Sequence, residues 1–233
     1  MKLGVIGGLG PMATAYFMEM VTEMTVADKD QDHIEMIIMS VPQTPDRTSF
    51  ILGESSKDPL PVINETADRL CRAGADVIAI PCITAHCFHE KLCKNVDVKI
   101  LNAIDETCSE LISKGARKVG IMATSGTLKC GLFRDAFIKA GIEPIEPDEV
   151  TEKHIMDLIY QDIKAGKKPD EARFKAVMKY FGDKGADKVV LGCTELSLLE
   201  RADLDLKDTV DVMRILAKTS IKACGYEVRR EYL

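Results

Sequence analysis

Apolar and polar positions follow one another along the chain in blocks that are typical of an α/β protein. Short apolar runs occupy residues 3–6, 34–41, 77–80, 98–101, 118–122 and 188–191, and each is bounded by turn-forming or polar residues. Runs of this length, rich in Val and Ile and without strict alternation, predict strands of a buried parallel sheet. Amphipathic or helix-like stretches lie between them, for example at residues 59–73 and 84–94. The pattern therefore predicts an α/β fold with parallel sheets.

One block of this pattern occurs twice. Residues 74–86 are GADVIAIPCITAH and residues 185–196 are GADKVVLGCTEL, so a cysteine follows the aspartate by six residues in both. A strand and small-residue turn near Gly4 likewise recur near Gly120. The repetition predicts two similar lobes of domain size. We place them at residues 1–100 and 101–208, with a C-terminal helix within 209–233 that packs back on the first lobe.

The two repeated cysteines, Cys82 and Cys193, each come just after an apolar run. In open α/β sheets, ligands bind outside the carboxyl ends of the strands. We therefore expect both thiols to lie at equivalent strand ends and to face each other across a cleft between the lobes. Each also precedes a predicted helix, whose N-terminus would lower the pKa of a thiol.

Composition narrows the function classes. The net charge is −6 and no basic cluster offsets it, which argues against a nucleic acid or an anionic membrane as partner. No apolar run approaches the length of a membrane span, and the N-terminus MKLGVIGG resembles a first strand rather than a signal peptide. The eight cysteines lack the spacing of a disulfide framework, which suits a reducing compartment. We predict a cytoplasmic protein.

Several further polar residues follow predicted strands. The turn Gly7–Gly10 before Pro11 offers backbone N–H groups to an anion. It is not a dinucleotide fingerprint, because the third glycine is replaced by Ala13. Arg47 lies in a polar segment after the second strand and could pair with a carboxylate. Thr124 and Thr127 stand where the corresponding turn of the first lobe has glycines.

Two thiols on opposite sides of one carbon atom can exchange roles. A thiolate on one side removes a proton while a thiol on the other side delivers one, and the stereocentre is inverted. Acid–base groups of this kind work best when their pKa lies near the working pH. The carbanion formed between the two steps needs amide or hydroxyl donors around the substrate carboxylate.

Four motifs together resemble the aspartate/glutamate racemase family: GVIGGLGPMAT near the start, TPDRT, PCITAH and GCTEL. The resemblance implies two Rossmann-like lobes related by a pseudo-two-fold axis, racemisation of aspartate or glutamate without PLP or any other cofactor, no metal, and a homodimer. It makes Cys82 and Cys193 the acid–base pair and assigns the carboxylate clamps to Arg47 and Lys164. The remaining residues that it implies at the substrate are Gly8, Met12, Ile83, Thr84, Thr124, Thr127 and Thr194.

Ile83 departs from the family pattern, which has asparagine after the first cysteine. The isoleucine removes a hydrogen-bond donor and adds apolar bulk beside the substrate. A lost hydrogen bond to a charged group costs about 1.5–3 kcal/mol. The change points to altered amino-acid specificity or to a related reaction such as maleate isomerisation, arylmalonate decarboxylation or hydantoin racemisation.

Two other readings stay open. If residues 82–93 were helical throughout, Cys82, His86, His89 and Cys93 would share one face and could bind zinc. That arrangement leaves Cys193 without a role. Alternatively, the chain binds a dicarboxylate without catalysis.

Overall fold

The computed structural model describes residues 1–202 and 204–233, which form two parallel four-stranded sheets. The first sheet contains β1 (Leu3–Gly7), β2 (Met36–Ser40), β3 (Val77–Ala79) and β4 (Lys99–Ile100) in the order β2-β1-β3-β4. The second contains β5 (Lys118–Met122), β6 (Glu143–Ile145), β7 (Lys188–Leu191) and β8 (Thr209–Asp211) in the order β6-β5-β7-β8. In both sheets the first strand along the chain lies between the second and the third, so the two lobes are similar, as the sequence repeat predicts.

Helices flank both sheets. They are α1 (Pro11–Met24), α2 (Arg47–Leu52), α3 (Leu60–Arg72), α4 (His89–Cys93), α5 (Ala103–Ser113), α6 (Ser125–Lys129), α7 (Leu132–Lys139), α8 (Glu149–Asp157), α9 (Glu171–Asp183) and α10 (Val212–Ala223). Short 3₁₀ segments span Asp30–Asp32, Thr84–Phe88, Leu196–Arg201 and Arg230–Tyr232, and a π-helical segment spans Leu158–Ile163. None of the helices in the described ranges is both long and apolar enough to cross a membrane.

The repeated Gly-Ala-Asp sequence starts the third strand of each lobe in the same way. The Asp76 carboxylate accepts a hydrogen bond of 2.6 Å from the backbone N–H of Lys2, at the beginning of β1. The Asp187 carboxylate accepts bonds of 2.8 Å from the N–H groups of Arg117 and Lys118, at the beginning of β5. The aspartate therefore fixes the two central strands of each sheet side by side, and the chain reaches both cysteines from equivalent places.

Both edge strands of the second sheet depart from the sequence prediction. The apolar runs predicted no strand between residues 122 and 188, and only a helix after residue 209. The structure adds β6 and β8 there. Both are three-residue strands, and β6 contains Pro144, which an edge strand tolerates because one side of its backbone is unpaired. Strands this short and polar do not produce an apolar run that sequence analysis can recognise.

Helix α10 links the C-terminal segment to the rest of the molecule. It packs against α1 and α5, and its Lys218 side chain lies 3.0 Å from Glu110 of α5. The preceding strand, β8, belongs to the second sheet. The segment 209–233 therefore contacts both parts of the molecule, and the lobe boundaries given above stay a prediction.

A disulfide joins Cys87 to Cys130, whose Cα atoms lie 6.2 Å apart. Cys87 belongs to the 3₁₀ segment after Cys82, and Cys130 caps the C-terminus of α6. We expected reduced cysteines, because nothing in the spacing of these two residues connects them. The pairing depends on the docking of the two lobes, which the sequence pattern does not describe.

Candidate active site

Cys82 and Cys193 line one narrow cavity between the strand ends of the two lobes. Each side chain is only 5% exposed. The cavity wall combines residues from both halves of the chain: Leu9, Asp46, Arg47, Thr48, Cys82, Ile83, Thr84, Thr124, Tyr160, Lys164, Cys193, Thr194 and Glu195. The structure thus brings together the two cysteines that the sequence repeat placed at equivalent positions.

The segments after the two cysteines are less regular than expected. Cys82 follows β3 and precedes the 3₁₀ segment Thr84–Phe88, and Cys193 follows β7 and precedes the 3₁₀ segment Leu196–Arg201. Neither thiol lies at the start of a long α-helix. The field of a helix N-terminus, which the sequence suggested for both thiols, therefore contributes little here, and neighbouring side chains determine the electrostatics.

A carboxylate lies beside Cys193. Its thiol donates a hydrogen bond of 2.9 Å to Oε2 of Glu195. Burial, followed by the negative charge of Glu195, raises the pKa of the Cys193 thiol well above its ordinary value. This direction is opposite to the lowered pKa that we expected from the sequence. Cys193 is therefore held in the protonated form, which suits an acid.

A cation lies beside Cys82. Arg47 is 7% exposed and begins α2 rather than lying in a loop. Burial opposes the charge of its guanidinium, but the charges of Cys82 and Asp46 outweigh burial and raise the pKa of Arg47. Cys82 therefore has a cation as its charged neighbour, whereas Cys193 has a carboxylate. The two thiols consequently have opposite electrostatic surroundings.

The guanidinium of Arg47 is largely committed to the protein itself. Nη1 donates to the carbonyl oxygens of Pro45 at 3.0 Å and Thr44 at 3.4 Å, and Nη2 donates to that of Leu9 at 2.6 Å. Nε is buried without a partner. Since a guanidinium has five N–H donors, only part of the expected fork is available to a carboxylate.

The second cation, Lys164, is carried by the π-helical segment that follows α8. Its Nζ atom lies 3.7 Å from Oε1 of Glu195 and 4.3 Å from the centre of the Tyr160 ring. Burial opposes its charge, but Glu195 and Cys193 raise the pKa of Lys164 above its ordinary value. The Lys164 side chain is 26% exposed, so it is a partly exposed cation of the cavity wall, and π-helical segments of this kind are frequent at functional sites.

Three threonine hydroxyls meet where the lobes touch. Thr84 Oγ1 lies 2.9 Å from Thr124 Oγ1 and 3.1 Å from Thr127 Oγ1, and the latter two are 3.1 Å apart. Thr84 and Thr124 form part of the cavity wall, whereas Thr127 lies behind them. Thr194 donates to the carbonyl oxygen of Pro81 at 3.1 Å. The Thr194 bond joins the two cysteine-bearing turns, and the Thr84 bonds join the turn of Cys82 to the turn after β5.

Ile83 and His86 shape the turn that carries Cys82. Ile83 is 1% exposed, packs in the main core and also contributes to the cavity wall. His86 Nδ1 lies 3.1 Å from the Cys82 carbonyl oxygen, and its Nε2 accepts from the Ala103 N–H at 3.3 Å. Burial lowers the pKa of His86 to about 4. His86 is therefore a neutral group that fixes the backbone of Cys82.

The alternative zinc-binding arrangement of Cys82, His86, His89 and Cys93 does not form. Both ring nitrogens of His86 are used by backbone groups, and only Cys93 and His89 approach each other, at 3.7 Å. Among residues 1–202 and 204–233, no group of three or more Cys, His, Asp or Glu side chains is arranged to bind a metal ion.

Gly8 and Met12 lie outside the inner cavity. Both line an adjoining outer pocket that shares Leu9, Arg47 and Glu195 with it. Met12 is 60% exposed. The N–H of Gly8 donates to Thr14 Oγ1 at 2.9 Å, so this donor is not free for an anion as the sequence suggested. Gly8 has φ +87°, which explains the need for glycine there.

Sequence reasoning missed several polar residues of the wall. Asp46, Thr48 and Tyr160 were not selected, although Tyr160 precedes Lys164 by four residues and a helical segment places such a pair on one face. Glu195 was not selected either. Its position two residues after Cys193 was the available signal.

Comparisons with known proteins agree with this architecture. Residues 6–219 match the model of the Asp/Glu/hydantoin racemase family. The chain is 26% identical over 229 residues to the broad specificity amino-acid racemase RacX of Bacillus subtilis (strain 168), covering 94% of this chain and 96% of that protein.

Solved structures give the same result. The structure of Picrophilus torridus aspartate racemase superposes with a TM-score of 0.86 at 28% identity, covering 99% of this chain and 97% of that one. An aspartate racemase homologue from Pyrococcus horikoshii OT3 superposes with a TM-score of 0.77 at 24% identity, over 96% of this chain and 99% of that chain. With a family match that spans both lobes and both cysteine-bearing turns, the chain belongs to the Asp/Glu/hydantoin racemase family.

Proposed function

We propose that the protein racemises an α-amino acid by a two-base mechanism in which Cys82 and Cys193 act on opposite faces of Cα. The observation that carries this proposal is the placement of both thiols, from equivalent strand ends of the two lobes, in one closed cavity. Water is largely excluded from such a space, so the charges of the cavity act at full strength on a developing carbanion.

The unequal surroundings of the thiols suit this chemistry. Cys82 lies near the Arg47 guanidinium, a cation, and Cys193 donates to Glu195, which favours a thiol. One thiolate and one thiol are the starting state that inversion requires, and in this proposal the thiolate is Cys82. After one turnover the proton has moved from the substrate to Cys82 and from Cys193 to the product. Cys82 then releases a proton to the solvent and Cys193 takes one up, which restores the original state.

For the substrate we propose a small acidic amino acid, aspartate or glutamate. Two cations, the buried Arg47 and the partly exposed Lys164, line the cavity and could each receive a carboxylate. A second candidate is a broader range of amino acids. It is favoured by the apolar Ile83 in the wall, by the engagement of Arg47 with three backbone carbonyls, and by the similarity to a broad specificity racemase.

The proposal is tested by incubating the PLP-free protein with each enantiomer of aspartate, glutamate and several neutral amino acids, followed by chiral chromatography. Inversion of the acidic amino acids alone supports the first candidate, and inversion of neutral ones as well supports the second. No inversion of any amino acid contradicts the proposed function. The homodimer and the cytoplasmic location expected from the sequence stay predictions, and sedimentation analysis tests the former.

A further inference from the structure

Two buried polar atoms in the cavity have no hydrogen-bond partner. In the part of the chain that the structure describes, only four buried side-chain nitrogen or oxygen atoms lack a hydrogen bond. Two of these, Nε of Arg47 and Oε1 of Glu195, belong to residues of the cavity wall. One is a donor on a cation and the other an acceptor on a carboxylate. Buried polar groups are normally paired, so this cavity calls for a ligand with both charges.

An α-amino acid supplies both partners on adjacent atoms, since its carboxylate accepts hydrogen bonds and its ammonium donates them. The related substrates considered above, such as maleate or an arylmalonate, have carboxylates but no ammonium group. They would leave Oε1 of Glu195 buried without a hydrogen bond, with only the longer ion pair to Lys164, which disfavours their binding. The carboxylate of Glu195 therefore distinguishes ligands by the presence of the amino group.

The surrounding residues hold Glu195 in this position. Oε2 accepts the hydrogen bond from the Cys193 thiol, and the Nζ atom of Lys164 lies 3.7 Å from Oε1. A Cβ atom on Gly10 would lie 2.5 Å from Oε1. The turn between β1 and α1 therefore needs glycine at this point to leave room for the carboxylate.

We propose that Glu195 determines the substrate class by accepting the α-ammonium group on Oε1 while it positions the Cys193 thiol through Oε2. This inference rests on the proposed function, because it assigns the substrate of that same cavity. An ammonium on Oε1 also offsets the negative charge that acts on the thiol. Binding of an amino acid thus eases the release of the Cys193 proton, whereas binding of a dicarboxylate without an amino group does not.

The test compares ligand pairs that differ only in the amino group, aspartate with succinate and glutamate with glutarate. Dissociation constants are measured by calorimetry for wild type, Glu195→Gln and the control Glu149→Gln, which changes an exposed residue outside the cavity. Wild type and the control should bind the amino acid of at least one pair about tenfold or more tightly than its partner. Glu195→Gln should bind both members within about twofold, through weaker binding of the amino acid alone.

A merely structural role for Glu195 would weaken both members of a pair equally and leave their ratio unchanged. That result overturns the proposal, as does the lack of an amino-group preference in wild type. Racemisation is measured separately, so the two hypotheses fail in different ways. An amino-group preference that depends on Glu195, without inversion, would refute the proposed function and support this assignment.

Discussion

Replacing Arg47 with lysine tests whether the guanidinium joins the two loops at the cavity. In the wild type it donates to three backbone carbonyl oxygens, those of Leu9, Thr44 and Pro45. A lysine keeps the charge but lacks the planar fork, so we expect it to retain one of these bonds. The two lost bonds involve a charged donor and contribute about 1.5 kcal/mol each at the lower end of the usual range.

The expected loss is therefore about 3 kcal/mol in the free energy of unfolding. For a chain of this size, each kcal/mol corresponds to about 2–4 °C in Tm, so Arg47→Lys should unfold about 6–12 °C below wild type. Calorimetry at a fixed protein concentration measures the shift. The control is Arg173→Lys, since the partly buried Arg173 side chain donates to the Asp162 carboxylate rather than to backbone carbonyl oxygens. A Tm for Arg47→Lys within about 2 °C of wild type would refute this description of Arg47.

Three further predictions concern the disulfide, the Cys193 thiol and Gly10. Reduction of the Cys87–Cys130 bond should lower the free energy of unfolding by about 2–4 kcal/mol. Urea denaturation with and without reductant measures this change, and the stability of a Cys87→Ala/Cys130→Ala variant should not respond to reductant. Because the pKa of Cys193 is raised above 9.0, the folded protein keeps a proton that the unfolded chain releases, so the related stability is complete below pH 9 and lost as pH rises further. Urea midpoints at pH 7 and pH 10 should therefore fall more for wild type than for Cys193→Ser, and equal changes would argue against the raised pKa. Gly10→Ala should displace the Glu195 carboxylate and reduce kcat by about tenfold, whereas Gly182→Ala, with no atom near the added methyl group, should leave kcat unchanged.

The sequence predicted the parts of the fold that recur within each lobe. The Gly-Ala-Asp sequence appears twice because its aspartate has the same task twice, binding the backbone at the start of β1 and β5. The positions of Cys82 and Cys193 followed from the strands that this motif begins. Short edge strands were missed, because β6 and β8 derive from pairing with a neighbour rather than from a local apolar run.

The electrostatics of the site could not be predicted from local sequence. Whether a thiol is raised or lowered in pKa depends on which charged side chain reaches it, and Glu195 reaches Cys193 only through the turn that follows β7. The Nη2 donor of Arg47 is likewise bound by the carbonyl oxygen of Leu9, which lies 38 residues away in the sequence. The Cys87–Cys130 pair depends on the same long-range docking. Residue types were predictable at these positions, but their partners were not.

The central claim is that two different thiols act on opposite faces of one carbon, and deuterium incorporation tests it most directly. The wild-type protein is incubated in D₂O with one enantiomer of its substrate, and both enantiomers are analysed by mass spectrometry during the first few per cent of conversion. Two bases predict that the newly formed enantiomer carries deuterium at Cα while the remaining starting enantiomer keeps protium. Cys82→Ser and Cys193→Ser should each abolish inversion. Equal deuterium in both enantiomers from the outset, or inversion that survives the loss of either thiol, would contradict the two-thiol mechanism.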